Sequence, residues 1–238
     1  MIKKVSYKFL LISIIIGACS GLVISLFRLV IPKIMGLISN LIIFGQENIL
    51  KSIVFVLIFV FIGFLVSITV NKEPMIGGSG IPQIAGKLNN KLDYSAFSCL
   101  VNKIIGGLLS IGSGLTLGRE GPSVQIGGSL GEVMAKKFNL NKDETDVMII
   151  ASSACGITSA FTAPVSAMAF ALEELMKKTS RINFIYITST IISSSIVTSL
   201  IIGNNPVIKV KNSLNLSIDF WIFLIFFRDF SWVFLNFV

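Results

Sequence analysis

Two short segments of this 238-residue chain carry residues that could do chemistry together, and both are glycine-rich helix starts. The first is Gly77-Gly78-Ser79-Gly80-Ile81-Pro82. Proline is favoured in the first helical turn, where its missing N–H costs nothing, so a helix should begin around Ile81 and Pro82. Glycines just before it let the backbone approach a ligand closely. The amides of Gly80 and Ile81, with the Ser79 hydroxyl, would then converge at a positive helix end suited to a small anion. The same residues also read as a plain cap, with Ser79 satisfying a backbone amide. The second segment is Gly118-Arg119-Glu120-Gly121-Pro122, with Pro122 opening a helix over 122–138. Its Gly121 joins the candidate anion-binding groups, and Glu120 adds a carboxylate. Two anions cannot share one small site cheaply, so Glu120 and a halide would compete for the same donors. Protonating Glu120, or swinging it out, would admit the halide. That is a gate coupling a proton to an anion. The plainer alternative is an acid beside Arg119 that stabilises a helix N-terminus.

Glu173-Glu174 ends the apolar segment that runs from Phe161-Thr162-Ala163-Pro164 to Leu172. Glutamates are unfavourable at a helix C-terminus. Either Lys177 and Lys178 compensate there, or the pair transfers protons at the inner end of the protein. Lys103 lies in the apolar run 100–109. It either snorkels to an interface or supplies positive potential to the anion path, as a partner of Glu120.

The elements holding these residues read as a membrane protein. The chain is 53% hydrophobic and 13% charged, with a mean hydropathy of +0.87; a soluble domain carries about 25% charged residues. Candidate spans cover 9–44, 49–70, 184–202 and 220–238. The first is too long for one straight span and contains Pro32. Between residues 71 and 178 the apolar runs are short and broken: 95–111, 122–138, 147–161 and 164–176, with 139–146 as a polar connection. Lipid offers no hydrogen-bond partners, so broken helices are tolerated only where their free ends line a cavity or ligand. Such segments point to a transport site. Gly17/Gly21, Gly114/Gly118 and Gly127/Gly131 have the spacing of close helix packing. The expected fold is therefore an all-α integral membrane bundle of full-length and broken helices, a single membrane domain over 1–238 in the lipid bilayer.

The net charge of +8 sits mostly in short connections, such as Lys3, Lys4 and Lys8, which places the N-terminus in the cytoplasm. No basic, aromatic-rich face argues for nucleic acid. With no histidine and three dispersed cysteines, neither a metal site nor a catalytic triad is expected, and no cofactor. Gly80 to Lys87 does not have P-loop spacing, and Leu88 stands where a magnesium-binding hydroxyl would be. The basic start followed by Gly17-Ala18-Cys19 imitates a signal peptide, but the apolar run continues past it, as in a first membrane helix.

Residues 78–82 and 118–122, with Ser123-Val124-Gln125-Ile126-Gly127-Gly128 and the 161–174 segment, resemble the CLC family of chloride channels and chloride/proton antiporters. The likeness runs from about Gly17 to Gly203. It implies one half of an inverted repeat, a homodimer in the cell membrane, and chloride and protons as transported ions. It implies that Ser79 binds chloride, Glu120 is the external gate and Glu174 the internal proton glutamate, which favours exchange over a channel. Gln83 and Ala85 stand where many members carry acids. The family's GxFxP motif and inner-site tyrosine are not in these residues, and 216–238 forms an atypical, Phe-rich end.

Overall fold

The computed structural model describes residues 6–176 and 180–203, and among these the chain is helical with no strand. Ten segments follow in order: α1 (Tyr7–Gln46), α2 (Ile49–Lys72), a 3₁₀ turn (Pro74–Ile76), α3 (Ile81–Leu88), α4 (Ala96–Gly112), α5 (Glu120–Lys137), α6 (Lys142–Phe161), α7 (Pro164–Phe170), a π turn (Ala171–Leu175) and α8 (Arg181–Ile202). All lie in one compact unit, Met1–Asn205. The span expected over 220–238 and the atypical end 216–238 lie outside the described residues, as do Lys3, Lys4, Lys177 and Lys178.

Helices α1, α2 and α8 are long and apolar enough to cross a membrane. The middle of the chain is built from the shorter, broken pieces that its glycines and prolines predict. Three boundaries differ from the sequence reading. Residues 9–44 do not break: α1 runs 40 residues through Pro32, roughly 60 Å at 1.5 Å per residue. Proline removes one backbone donor there, yet the helix continues to Gln46, where α2 turns back against its end. Gly45 abuts the Phe55 side chain, and Ser52 Oγ donates to the Gly45 carbonyl at 2.7 Å. The segment 139–146 is not all connection, because α6 already begins at Lys142. Asn141 and Glu144 form a reciprocal capping box that starts the helix in its charged first turn. The helix expected over 164–176 is α-helical only to Phe170 and widens into the π turn that carries Glu173 and Glu174.

Packing follows small residues. A side chain on Gly17 would collide with the Thr190 backbone of α8, and a Cβ on Gly21 would lie 2.7 Å from the Ser194 carbonyl. Gly127 and Gly131 meet α6 in the same way, at Ser152 and at the Met148 carbonyl, and Gly156 of α6 meets the Ser123 backbone of α5. Two of the three expected glycine pairs are thus helix contacts. The third is not: Gly114 and Gly118 lie in the loop between α4 and α5, with open space around Gly114. Buried hydroxyls tie the same helices together. Ser159 Oγ lies 2.7 Å from Thr198 Oγ1, which in turn accepts from Ser25 Oγ at 3.2 Å. By contrast α2 buries almost nothing: Leu57 is 62% and Phe61 59% exposed. A helix apolar all round and left uncovered suits lipid rather than water.

Candidate anion site

Both helix starts predicted from the sequence exist. The 3₁₀ turn ends at Gly77 (φ −62°, ψ 144°), and Gly78 and Gly80 follow with φ of +74° and +97°. Positive φ at two positions in three is open to glycine at no steric cost. The chain then enters α3, with proline in its first turn. The second helix, α5, starts at Glu120, two residues before the Pro122 expected to open it, so that Pro122 still falls in the first turn.

The structure brings the two starts together. A Cβ on Gly121 would strike the Ser79 carbonyl and lie 2.8 Å from Ser79 Oγ, so the two backbones are in contact. They share a cavity of about 610 Å³ whose wall includes Gly78, Ser79, Ile81, Lys103, Glu120 and Gly121. Ser79 is exposed, and Glu120 is half-buried. The Glu120 carboxylate folds back over Gly118, where a side chain would meet its Oε2. Gly80 is buried behind the wall, with its missing Cβ position 2.7 Å from Gln125 Oε1.

Donors and acceptors in the first loop are segregated. Four successive carbonyls are taken by side chains. Gln125 Nε2 donates to Met75 O at 2.8 Å, Lys103 Nζ to Ile76 O at 2.7 Å and Gly78 O at 3.0 Å, and Gln83 Nε2 to Gly77 O at 2.7 Å. The amides of Ile76 and Gly77 are used within the 3₁₀ turn. Among the described residues, those of Gly78, Ser79, Gly80 and Ile81 have no hydrogen-bond acceptor in the protein. Four adjacent donors without acceptors, beside four acceptors with donors, make an electropositive loop.

Of the other sequence candidates, Lys103 lines the same cavity and the rest fall elsewhere. Lys103 does not snorkel: it is buried at 4% exposure on α4. Nor does it pair with Glu120; among the described residues no basic side chain lies within ion-pair distance of that carboxylate. Two carbonyls solvate its ammonium instead, which is how a buried cation is held without a counter-ion. Arg119 precedes α5 without a capping side chain and does not line the cavity. Glu173 and Glu174 are exposed and are not brought to this cavity. Their π turn packs beside α3 instead. Leu175 shares a second cavity with Leu88, the last residue of α3. The sequence reading missed the roles of Gln83 and Gln125. It also missed a buried ion pair, Lys87 Nζ to Glu132 Oε2 at 2.6 Å, which links α3 to α5. A carboxylate in the glycine-rich middle of α5, away from both helix ends, was the signal for that pair.

A sequence model described as "Voltage gated chloride channel" matches residues 62–227. The H(+)/Cl(-) exchange transporter ClcA of Salmonella arizonae is 38% identical over 157 residues, 64% of this chain and 33% of the relative. That of Citrobacter koseri is 37% identical over the same span. In three dimensions a slow cyanobacterial Cl⁻/H⁺ antiporter superposes with a TM-score of 0.81 at 26% identity, covering 93% of this chain and 53% of that one. A CLC-type fluoride/proton antiporter superposes at 0.68 with 18% identity, a likeness of fold. The matched region spans about a third of the length of these curated relatives, and the superposed chain about half of the solved antiporters.

Proposed function

This chain belongs to the voltage gated chloride channel family, and we propose that it supplies the anion-binding half of a pathway exchanging chloride for protons. Its fold is the all-helical CLC-type bundle of full-length and broken helices. One observation carries the reading: the starts of α3 and α5 meet at a single cavity with Glu120 in its wall. A halide there would accept from the amides of Gly78 to Ile81, the Ser79 hydroxyl and the Gly121 backbone. Each charge-assisted bond in a dry site is roughly twice as strong as a neutral one. Those donors serve one anion at a time. With Glu120 ionised, its carboxylate occupies the donors and blocks the path. With Glu120 protonated or swung aside, chloride takes its place. Alternation between the two couples one ion to the other.

Glu174 would pass the proton onward. Its turn packs beside α3, an eight-residue helix roughly 12 Å long at 1.5 Å per residue. A proton leaving Glu120 would therefore travel on that scale, and Glu173 lies on the same turn. The exchange transporters among the relatives favour this reading over a passive channel. The protein would act in the cell membrane as a homodimer, with its N-terminus in the cytoplasm.

Chloride and proton flux through the purified chain in liposomes tests the proposal. Glu120→Ala should abolish proton coupling and leave chloride flow. Glu174→Ala should leave chloride flow and stop proton movement. Proton coupling that survives in Glu120→Ala would falsify the gate.

A further inference from the structure

We propose that Gln83, Lys103 and Gln125 are positioning residues for the anion site, because together they hold the four carbonyls of Met75 to Gly78 and so fix which edge of that loop faces the cavity. The inference rests on the anion reading above and goes beyond it by asking what makes the loop electropositive.

The Gly77–Gly78 peptide is the critical unit. With Gly77 at φ −62°, ψ 144° and Gly78 at φ +74°, the angles on either side of this peptide match those of a type II turn. Rotating the peptide between them gives a type I turn, which also suits two glycines, so neither residue's sterics chooses the orientation. A planar trans peptide points its N–H opposite to its C=O. Such a rotation would therefore withdraw the Gly78 amide from the cavity and present the Gly77 oxygen, a partial negative charge, to the anion. Gln83 Nε2 decides between the two by binding the Gly77 oxygen at 2.7 Å. Gln83 does not line the cavity, so that oxygen is drawn away from it.

The flanking carbonyls are engaged from two other helices, one of them through Lys103, which itself reaches the cavity wall. Lys103 of α4 bridges Ile76 O and Gly78 O. Gln125 of α5 binds Met75 O. Neither amide can serve the loop the other way round. Turning Gln83 or Gln125 end for end would set its oxygen against a carbonyl oxygen, and both Oε1 atoms are left buried with no partner among the described residues. An arrangement that leaves two acceptors unmatched in order to engage two carbonyls is dictated by the carbonyls.

Gln83 separates this idea from a simple charge effect, because it is neutral and stands behind the wall residues Gly77 and Gly78 rather than in the wall itself. Chloride binding to the purified chain, measured by isothermal titration calorimetry, is the test. Gln83→Met keeps the bulk and removes the donor. We expect chloride Kd to rise about tenfold, the scale of one lost hydrogen bond near a charge, with the unfolding temperature unchanged. Lys103→Met should weaken binding further, and Lys103→Arg, which keeps both the charge and the donors, should recover most of it. Wild-type affinity in folded Gln83→Met would overturn the positioning role while leaving the anion site intact. Wild-type protein with no saturable chloride binding would overturn the anion site itself. If Lys103→Met fails to fold, Gln83→Met alone still decides the question.

Discussion

The starts of α3 and α5 use the same letters, glycines followed by proline, and end up as opposite devices. At α3 the donor array is made by other helices. Three side chains from α3, α4 and α5 engage the carbonyls of Met75 to Gly78, and the amides that follow have no acceptor among the described residues. At α5, among the described residues, the loop's one such contact is local, from Ser123 Oγ of α5 itself to Arg119 O at 2.7 Å. This helix start carries one flexible carboxylate, Glu120, folded over Gly118. A fixed set of donors facing a single side chain that can move is what competition between a bound anion and a built-in one requires. A glycine-proline helix start therefore specifies a geometry; on the function proposed above, whether it would hold an anion or supply one depends on what packs behind it.

Glycine substitutions separate the two starts. The largest effect belongs to Gly121→Ala, because its new methyl meets the Ser79 backbone, which has no rotamer to escape into. Forcing the helix starts apart should cost roughly 3 kcal/mol, the upper end of overpacking in a tight interior. Unfolding in denaturing detergent and chloride titration should show loss of both stability and binding; retained binding would mean that the contact is not needed. Gly80→Ala comes next. At φ +97° an L-residue is strained by about 1–2 kcal/mol, and its Cβ would press on Gln125 at 2.7 Å. This change damages only the α3 start. It should weaken chloride binding and leave proton coupling per bound chloride as it was.

Much of this was legible from local chemistry. Proline marks the start of α3, the spacing of Gly17/Gly21 and Gly127/Gly131 marks helix contacts, and unbroken apolar runs mark α2 and α8. What failed to show was decided at a distance. Gln125 acts on a carbonyl 50 residues away and Lys103 on carbonyls 25 and 27 residues away, so neither contact has a sequence signature. Lys103 in an apolar run reads equally as a snorkelling side chain or as positive potential beside Glu120, whereas in the fold two backbone oxygens satisfy it. The early start of α6 was readable from Asn141 and Glu144 as a capping box, but its charged first turn outweighed that signal. Pro32 illustrates the reverse case. A strong local breaker lies within one continuous helix, α1.

The smallest expected effect on stability is also the sharpest test of the comparison. Gly118 has no positive φ among the described backbone outliers, and what an added Cβ would meet is the far end of the Glu120 side chain. A flexible carboxylate can give way, so Gly118→Ala should change stability by less than about 0.5 kcal/mol, as surface substitutions usually do. It should nevertheless push the carboxylate off its folded-back position, which changes how Glu120 competes for the donors. The rate of chloride flow should shift in Gly118→Ala and should not shift when the same change is made in a Glu120→Ala background. Non-additivity of this kind is expected for residues in contact. Equal shifts in both backgrounds would show that Gly118 acts by another route, and that the α5 start is as rigidly set as the α3 start.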